Sequence, residues 1–399
     1  MTVRRGRCRI FDYRRNARRF LRASTLDVMS EKPAEKVNVV LVAITGLRAN
    51  RLGSYGRAQS VSPFLDSLAA DGAVCESFLC SAVPAEASFA ALASGQHPVS
   101  LGMASDLAVR ELPFGTTLLP QVFLEAGYTT AAFDNLRRRI HWLGRGYEFY
   151  VDPGLRHGRE ATGQELNARV LPWLRTHSGE PFFLSLHYRE LDTAAQAERY
   201  DRALRSTDEA IRELAMTLSD LRSAQKTLLV VLSTSGRAPT DGDSGLLDSA
   251  VRVPLLVRWP GRVSRGIRLK QMLQMHDVTP TVLEAAGLPI PSSLEGRSFW
   301  KLLTGEQQEG GCDRVFSVAC GPQPAWSLRT AEAKYILSPG ATGEKRSALY
   351  DLATDPKEER NIASDRPAVA AAMERELEDW VAHRLEESAK SQALLADMT

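Results

Sequence analysis

No apolar run in this 399-residue sequence approaches the ~18 residues a helix needs to cross a bilayer, so a helical membrane span is not expected. Cysteine is scarce: Cys8, Cys75, Cys80, Cys312 and Cys320, an odd number. They form no CxxC pair and no Cys/His cluster of zinc-ligand spacing, which argues against structural zinc. Nothing in their spacing demands a disulfide framework, and a reducing, cytoplasmic compartment is the expectation. An excess of charge is lacking too. The net charge is +2, and residues 1–22 alone hold nine arginines and one aspartate, so the other 377 residues carry about −6. A body of that charge offers no general field for nucleic acid. There are no internal repeats and no low-complexity tracts.

What is present is organised around VNVVLVAITGL at 37–47, an unalternating aliphatic run that breaks at Thr45-Gly46. Such a run predicts a strand buried on both faces of a parallel sheet. Ligands in open α/β sheets bind beyond the carboxyl ends of such strands, so Thr45 and Gly46 stand where chemistry is expected. Both are neutral.

Ahead of this strand, residues 8–22 place Ile10, Tyr13, Ala17 and Phe20/Leu21 at helical spacing, with Arg14, Arg15, Arg18, Arg19 and Arg22 around the other face. That pattern suits a basic amphipathic helix docking on anionic lipid, nucleic acid or an acidic partner. The plainer reading is a frayed tail or presequence-like extension. Residues 17–22 faintly echo a twin-arginine signal, but STLDVMSEK follows instead of an apolar segment, so export is not expected. Residues 23–36 read as a linker.

Downstream, helices are predicted over 63–72, from about 87 or 88 to 95, and over 116–126, 162–176, 200–221 and 278–286. Strands are predicted over 129–133, 181–188, 226–233 and 253–258. This alternation argues for a parallel or mixed sheet covered on both faces. From about 305 the texture changes to short strands at 315–319, 326–329, 335–337 and 348–352, then a helix from 367 to about 388. The expected organisation is an arm and linker over 1–36, an α/β domain over 37–304, and an antiparallel sheet with one helix over 305–399.

Several stretches, in order, resemble the sulfatase branch of the alkaline phosphatase superfamily: NVVLVAITGLRANRLGSYG (38–56), SPFLDSLAADG (62–72), GYTTAAF (127–133), RVPLLVRWPGRV (252–263), DVTPTVLEAAGLP (277–289) with LEGRSF (294–299), and LYDLATDPKEERNIA (349–363). The resemblance implies a mostly parallel central sheet sandwiched by helices, plus a small C-terminal α+β domain. For active members it implies four features. Adjacent acidic residues after the first strand hold a divalent cation such as calcium. A Cys or Ser converted to formylglycine, or a Thr/Ser in phosphodiesterase relatives, is the nucleophile at a helix N-terminus. An Asp-His or Asp-Asn pair completes the metal site, and Lys and His neutralise the sulfate. A hard cation wants six to eight oxygens, several of them anionic.

Carried over position by position, the chemistry is missing. The acidic pair falls on Thr45 and Gly46. In PAEASFAALASG (84–95) the nucleophile position is Ala85 and its bracing arginine is Phe89. The later metal pair falls on Ser235 and Gly236, one lysine on Asn135, a histidine on Asp192, and a second lysine near Asp243. No catalytic residue, bound metal or other cofactor is therefore expected.

Other residues invite bland readings. His187 is read as a hydrogen-bonded core residue of its strand, Glu190 and Asp192 as surface partners of the adjacent Arg189, and Ser88 as an N-cap. Ser233, Thr234 and Ser235 are hydroxyl-rich but lack a motif-placed base. Asp66 and Asp277 read as helix braces, and Asp241 with Asp243 as a calcium-like loop without its terminal glutamate. The favoured expectation is a sulfatase-fold protein that has lost catalysis and binds an unidentified protein partner or ligand. The alternatives are a sulfuric-ester or phosphodiester hydrolase rebuilt on Asp192, Glu190 and Asp243, and an interaction module directed by the basic arm.

Overall fold

The computed structural model describes residues 36–105, 112, 115–136, 140–154, 159–192, 196–236, 244–340 and 344–396. The basic arm at 8–22 and the Asp241/Asp243 loop lie outside them. Strand β1 (Asn38–Thr45) is buried along its whole length. Its alternate residues feed two cores: Val39, Leu41 and Ala43 one, Val40, Val42 and Ile44 the other. With apolar neighbours above and below the sheet, the positions from Val39 to Ile44 do not tolerate a polar residue, hence the unbroken aliphatic run.

The chain continues through α1 (Pro63–Ala70), β2 (Ala73–Leu79), β3 (Ala82–Val83), α2 (Ala85–Ser94), α3 (Leu119–Glu125), β4 (Thr129–Phe133) and β5 (Phe149–Val151). Next come α4 (Gly163–His177), β6 (Phe182–Tyr188), α5 (Ala197–Asp220), β7 (Thr227–Ser235), α6 (Asp248–Val251) and β8 (Leu255–Arg258). The last elements are β9 (Ile267–Gln274), α7 (Val278–Ala285), α8 (Trp300–Thr304), β10 (Val315–Ala319), β11 (Ala325–Arg329), β12 (Ala333–Pro339), β13 (Lys345–Asp351) and α9 (Pro367–Ala396). The large sheet has the order β5-β4-β6-β1-β7-β8-β2-β9. It is parallel except at β8, which runs antiparallel to β7 and β2.

In the second sheet, β13, β12, β11 and β10 pair antiparallel and β3 adds in parallel to β10. Since β3 leads straight into α2, the small sheet holds the segment that enters the candidate site. Residues from Val37 onward form one compact unit. Among the described residues no helix is long and apolar enough to cross a membrane.

Several elements depart from expectation. α2 begins at Ala85, with Pro84 as its cap, so Ser88 lies one turn inside the helix and is no N-cap. β2 and β9 were not anticipated. β9 (IRLKQMLQ) is an edge strand with Arg268 and Lys270 exposed, and edge charge hides a strand from an apolar-run search. α9 extends past 388 to Ala396.

Two devices join the small sheet and α9 to the larger sheet. In the first, Asp248 accepts Lys334 Nζ at 2.8 Å and is bracketed by Arg329, while Lys334 also reaches Glu358 at 3.1 Å. In the second, His97 after α2 meets the Trp380 ring of α9 edge-on at 5.0 Å and donates to the Phe316 carbonyl at 3.3 Å. The His276 ring lies 5.8 Å away.

Burial lowers the affinity of both imidazoles for a proton, more strongly for His97, where the neighbouring His276 adds to it. The unfolded chain, with histidines near 6.5, then binds protons that the native state refuses. This contribution is present above that value and lost as pH falls below it. The urea midpoint is expected to be lower at pH 5.5 than at pH 7.5, with a smaller difference in His97→Gln. An unchanged difference in that variant would sink the attribution.

Candidate functional site

The carboxyl ends of β1, β6 and β7 converge beside the N-terminus of α2, since β6 and β7 flank β1 in parallel. Three side chains from three strands meet there. Thr45 Oγ1 lies 2.7 Å from His187 Nε2 and 2.9 Å from Thr234 Oγ1. A hydroxyl has one proton, so Thr45 donates to one neighbour and accepts from the other. All three residues are fully buried. The Phe89 ring of α2 lies over His187, centroids 5.2 Å apart and tilted by 34°. Cys80 closes the group by donating to the Thr234 carbonyl at 3.2 Å. Burial pushes its thiol up to about 12, so it is neither thiolate nor nucleophile at neutral pH.

Gly46 has φ +85, and a Cβ there would sit 2.9 Å from the Asp192 nitrogen and the Leu191 carbonyl carbon. Its own N–H donates to the Ser235 carbonyl at 3.0 Å. Gly236 is equally confined, with a Cβ meeting the Ser249 oxygen at 2.5 Å. Ala85, 4% exposed, offers a methyl group as the first residue of α2. Asn135 spends its amide on one neighbour, accepting from the Ala161 N–H at 2.7 Å and donating to the Ala161 carbonyl at 3.2 Å.

Asp192 does not join the hydroxyl group. It binds Arg189 at 2.7 Å, and Arg189 also holds Glu86 at 3.0 Å and Glu160 at 3.2 Å. Arg189 is 4% exposed. Burial opposes its charge, but Glu86, Asp192 and Glu160 together outweigh burial and raise its proton affinity. Glu190 turns elsewhere, toward Thr207 and the Gly163 N–H, with its carboxyl raised by burial. Asp192 and Glu190, two of the three acids of a rebuilt site, thus engage different partners. Glu86 and Glu160 were not singled out in the sequence. Glu86 had a signal in its place beside Ala85; Glu160 had none, since only the fold brings it to Arg189.

A hard cation does not fit these residues. The positions that should supply anionic oxygens offer one hydroxyl already bonded twice, two glycines without room for a side chain, and Ser235. Among the described residues no three His, Cys, Asp or Glu side chains gather as metal ligands.

A family model described as Sulfatase matches residues 37–288. A second, N-sulphoglucosamine sulphohydrolase, C-terminal, matches residues 244–384. Arylsulfatase A of Homo sapiens is 26% identical over 440 aligned residues, which cover 85% of this chain and 87% of that protein. Arylsulfatase K of Rattus norvegicus is 27% identical, but the match spans 43% of this chain and 32% of that longer protein. A crystal structure from Bacteroides thetaiotaomicron assigned to the sulfatases superposes with a TM-score of 0.75 at 17% identity, over 90% of this chain and 94% of that one. Likeness at that identity speaks for the fold alone.

Proposed function

The chain belongs to the sulfatase family, and we propose that within it this protein no longer hydrolyses esters and serves as a non-catalytic binding or scaffold protein. One observation carries the reading: the spot where an ester would react is occupied by Thr45, His187 and Thr234 bonded together beneath the Phe89 ring. A methyl group at Ala85 cannot attack sulfur or phosphorus. The negative face of an aromatic ring at Phe89 disfavours the anion that an arginine would attract. Hydroxyls committed to one another do not replace two carboxylates around a cation.

Hydrolysis by a rebuilt site is the weaker reading, because Asp192 is neutralised by Arg189 and Glu190 is drawn toward Thr207. The proposal extends to a cytoplasmic setting, on the free thiols of Cys75, Cys80, Cys312 and Cys320. It also gives the basic residues 8–22 an attachment role toward a partner, anionic lipid or nucleic acid.

The test combines metal analysis of the purified full chain with a screen of aryl sulfates and phosphodiesters in added calcium or manganese. The expected result is substoichiometric metal and no turnover above the uncatalysed rate. Stoichiometric metal, with turnover abolished in Asp192→Ala, would overturn the reading.

A further inference from the structure

A cleft of about 310 Å³ opens between the end of β9, the approach to β10, and α9. That volume falls at the lower end of small-molecule sites. Its floor is built from His97, His276 and Asp277, which are 2%, 6% and 2% exposed. We propose that this cleft binds a compact oxyanion, using the Arg297 guanidinium and His276 Nε2 as its donors. The inference goes beyond the lapsed reaction centre and does not depend on it.

The buried acids in the cleft are already engaged. Asp277 accepts the Arg297 N–H on one oxygen and the Gln274 N–H on the other, both at 2.8 Å. Glu295 accepts the His97 N–H at 3.0 Å and pairs with Arg384 at 3.3 Å. Asp313 stands at the exposed rim, where solvent screens it. The donors make no hydrogen bond to these acids, although Asp277 and Glu295 act on the His276 ring, and Arg297 on Asp277, electrostatically. His276 Nδ1 lies 2.8 Å from Ser81 Oγ, and with the serine donating, the proton of the neutral ring sits on Nε2. Among the described residues neither Nε2 nor the Arg297 guanidinium has a hydrogen-bond or ion-pair partner.

The rest of the lining favours the same ligand. Cys312, its thiol pushed up to about 11 chiefly by burial, stays protonated and adds no competing negative charge. Trp380, stacked on Phe316 at 4.4 Å, forms a dry wall on one side, which strengthens a charge-assisted contact. An anion here would complete donors that make no hydrogen bond within the fold, whereas a cation would find Asp277 and Glu295 already accepting from the chain.

Calorimetric titration of the full chain with inorganic phosphate, sulfate or acetate, against chloride at matched ionic strength, tests this. Saturable one-to-one binding of at least one oxyanion is expected, with Kd on the order of 1 mM. Arg297→Gln should weaken it about tenfold, by removing a charge-assisted contact. Arg297 is exposed, so this variant should melt like the parent, and Arg360→Gln, which breaks an exposed pair with Asp365, should leave binding unchanged. Preference for phosphate, sulfate or acetate would name the ligand's anionic group. No saturable binding of any of the three, or equal binding by Arg297→Gln, would overturn the proposal.

Discussion

Replacing Lys334 with methionine is expected to destabilise the fold by about 3–5 kcal/mol, the cost of leaving buried charge without its partner. Lys334 is fully buried and lies between Asp248 at 2.8 Å and Glu358 at 3.1 Å. Arg329 stays with Asp248 in the variant, so the uncompensated group is Glu358. Burial already raises the Glu358 carboxyl, and Lys334 is the main influence holding it down.

Without the lysine, Glu358 should take up a proton in the native state, at a pH above its unfolded value. A raised carboxyl favours the folded state at low pH and loses that advantage as pH rises through the folded value. Urea unfolding should therefore give a larger parent-to-variant difference at pH 8 than at pH 5. Lys334→Met/Glu358→Gln should recover part of the loss at pH 8. A pH-independent difference with no recovery would point to packing rather than charge.

Placing an acid beside Thr45 is expected to damage the protein rather than confer activity. Gly46→Asp combines three penalties: a side chain at φ +85, a Cβ 2.9 Å from the backbone of 191–192, and a carboxylate in a closed pocket. Together they amount to a loss of about 3–5 kcal/mol. Gly46→Ala carries the first two without the charge, so it should lie between parent and Gly46→Asp in melting temperature. Neither variant should gain esterase or sulfatase turnover. A Gly46→Asp protein as stable as the parent would show that the 191–192 turn yields, and that the pocket is less firmly closed than its contacts imply.

Both predictions concern groups whose sequence neighbourhoods disclose little. Lys334 reads as an ordinary charged residue just ahead of a short strand. It is buried because β12 of the small sheet carries it to Asp248, 86 residues away. Gly46 reads as a turn residue; that the turn after β6 presses against it follows from β6 lying beside β1. Arg189 is similar. Its pairing with Asp192 is local, but Glu86 is 103 residues distant and sits in the first turn of α2.

Chemistry that belongs to one side chain was legible without any structure. A methyl at Ala85, a phenyl at Phe89 and a hydrogen at Gly46 have the same reactivity in any fold, so what these side chains can and cannot do was legible in the sequence. Local order was legible for a related reason: the start of α4 near 162, where the Glu165 N–H reaches Thr162 Oγ1 at 3.3 Å, depends on neighbours in the chain. Which groups meet beside Phe89 and Gly46 was decided by the tertiary structure alone. Thr45, His187 and Thr234 come from strands 142 and 189 residues apart, and only the order β6-β1-β7 brings their polar groups within hydrogen-bonding distance.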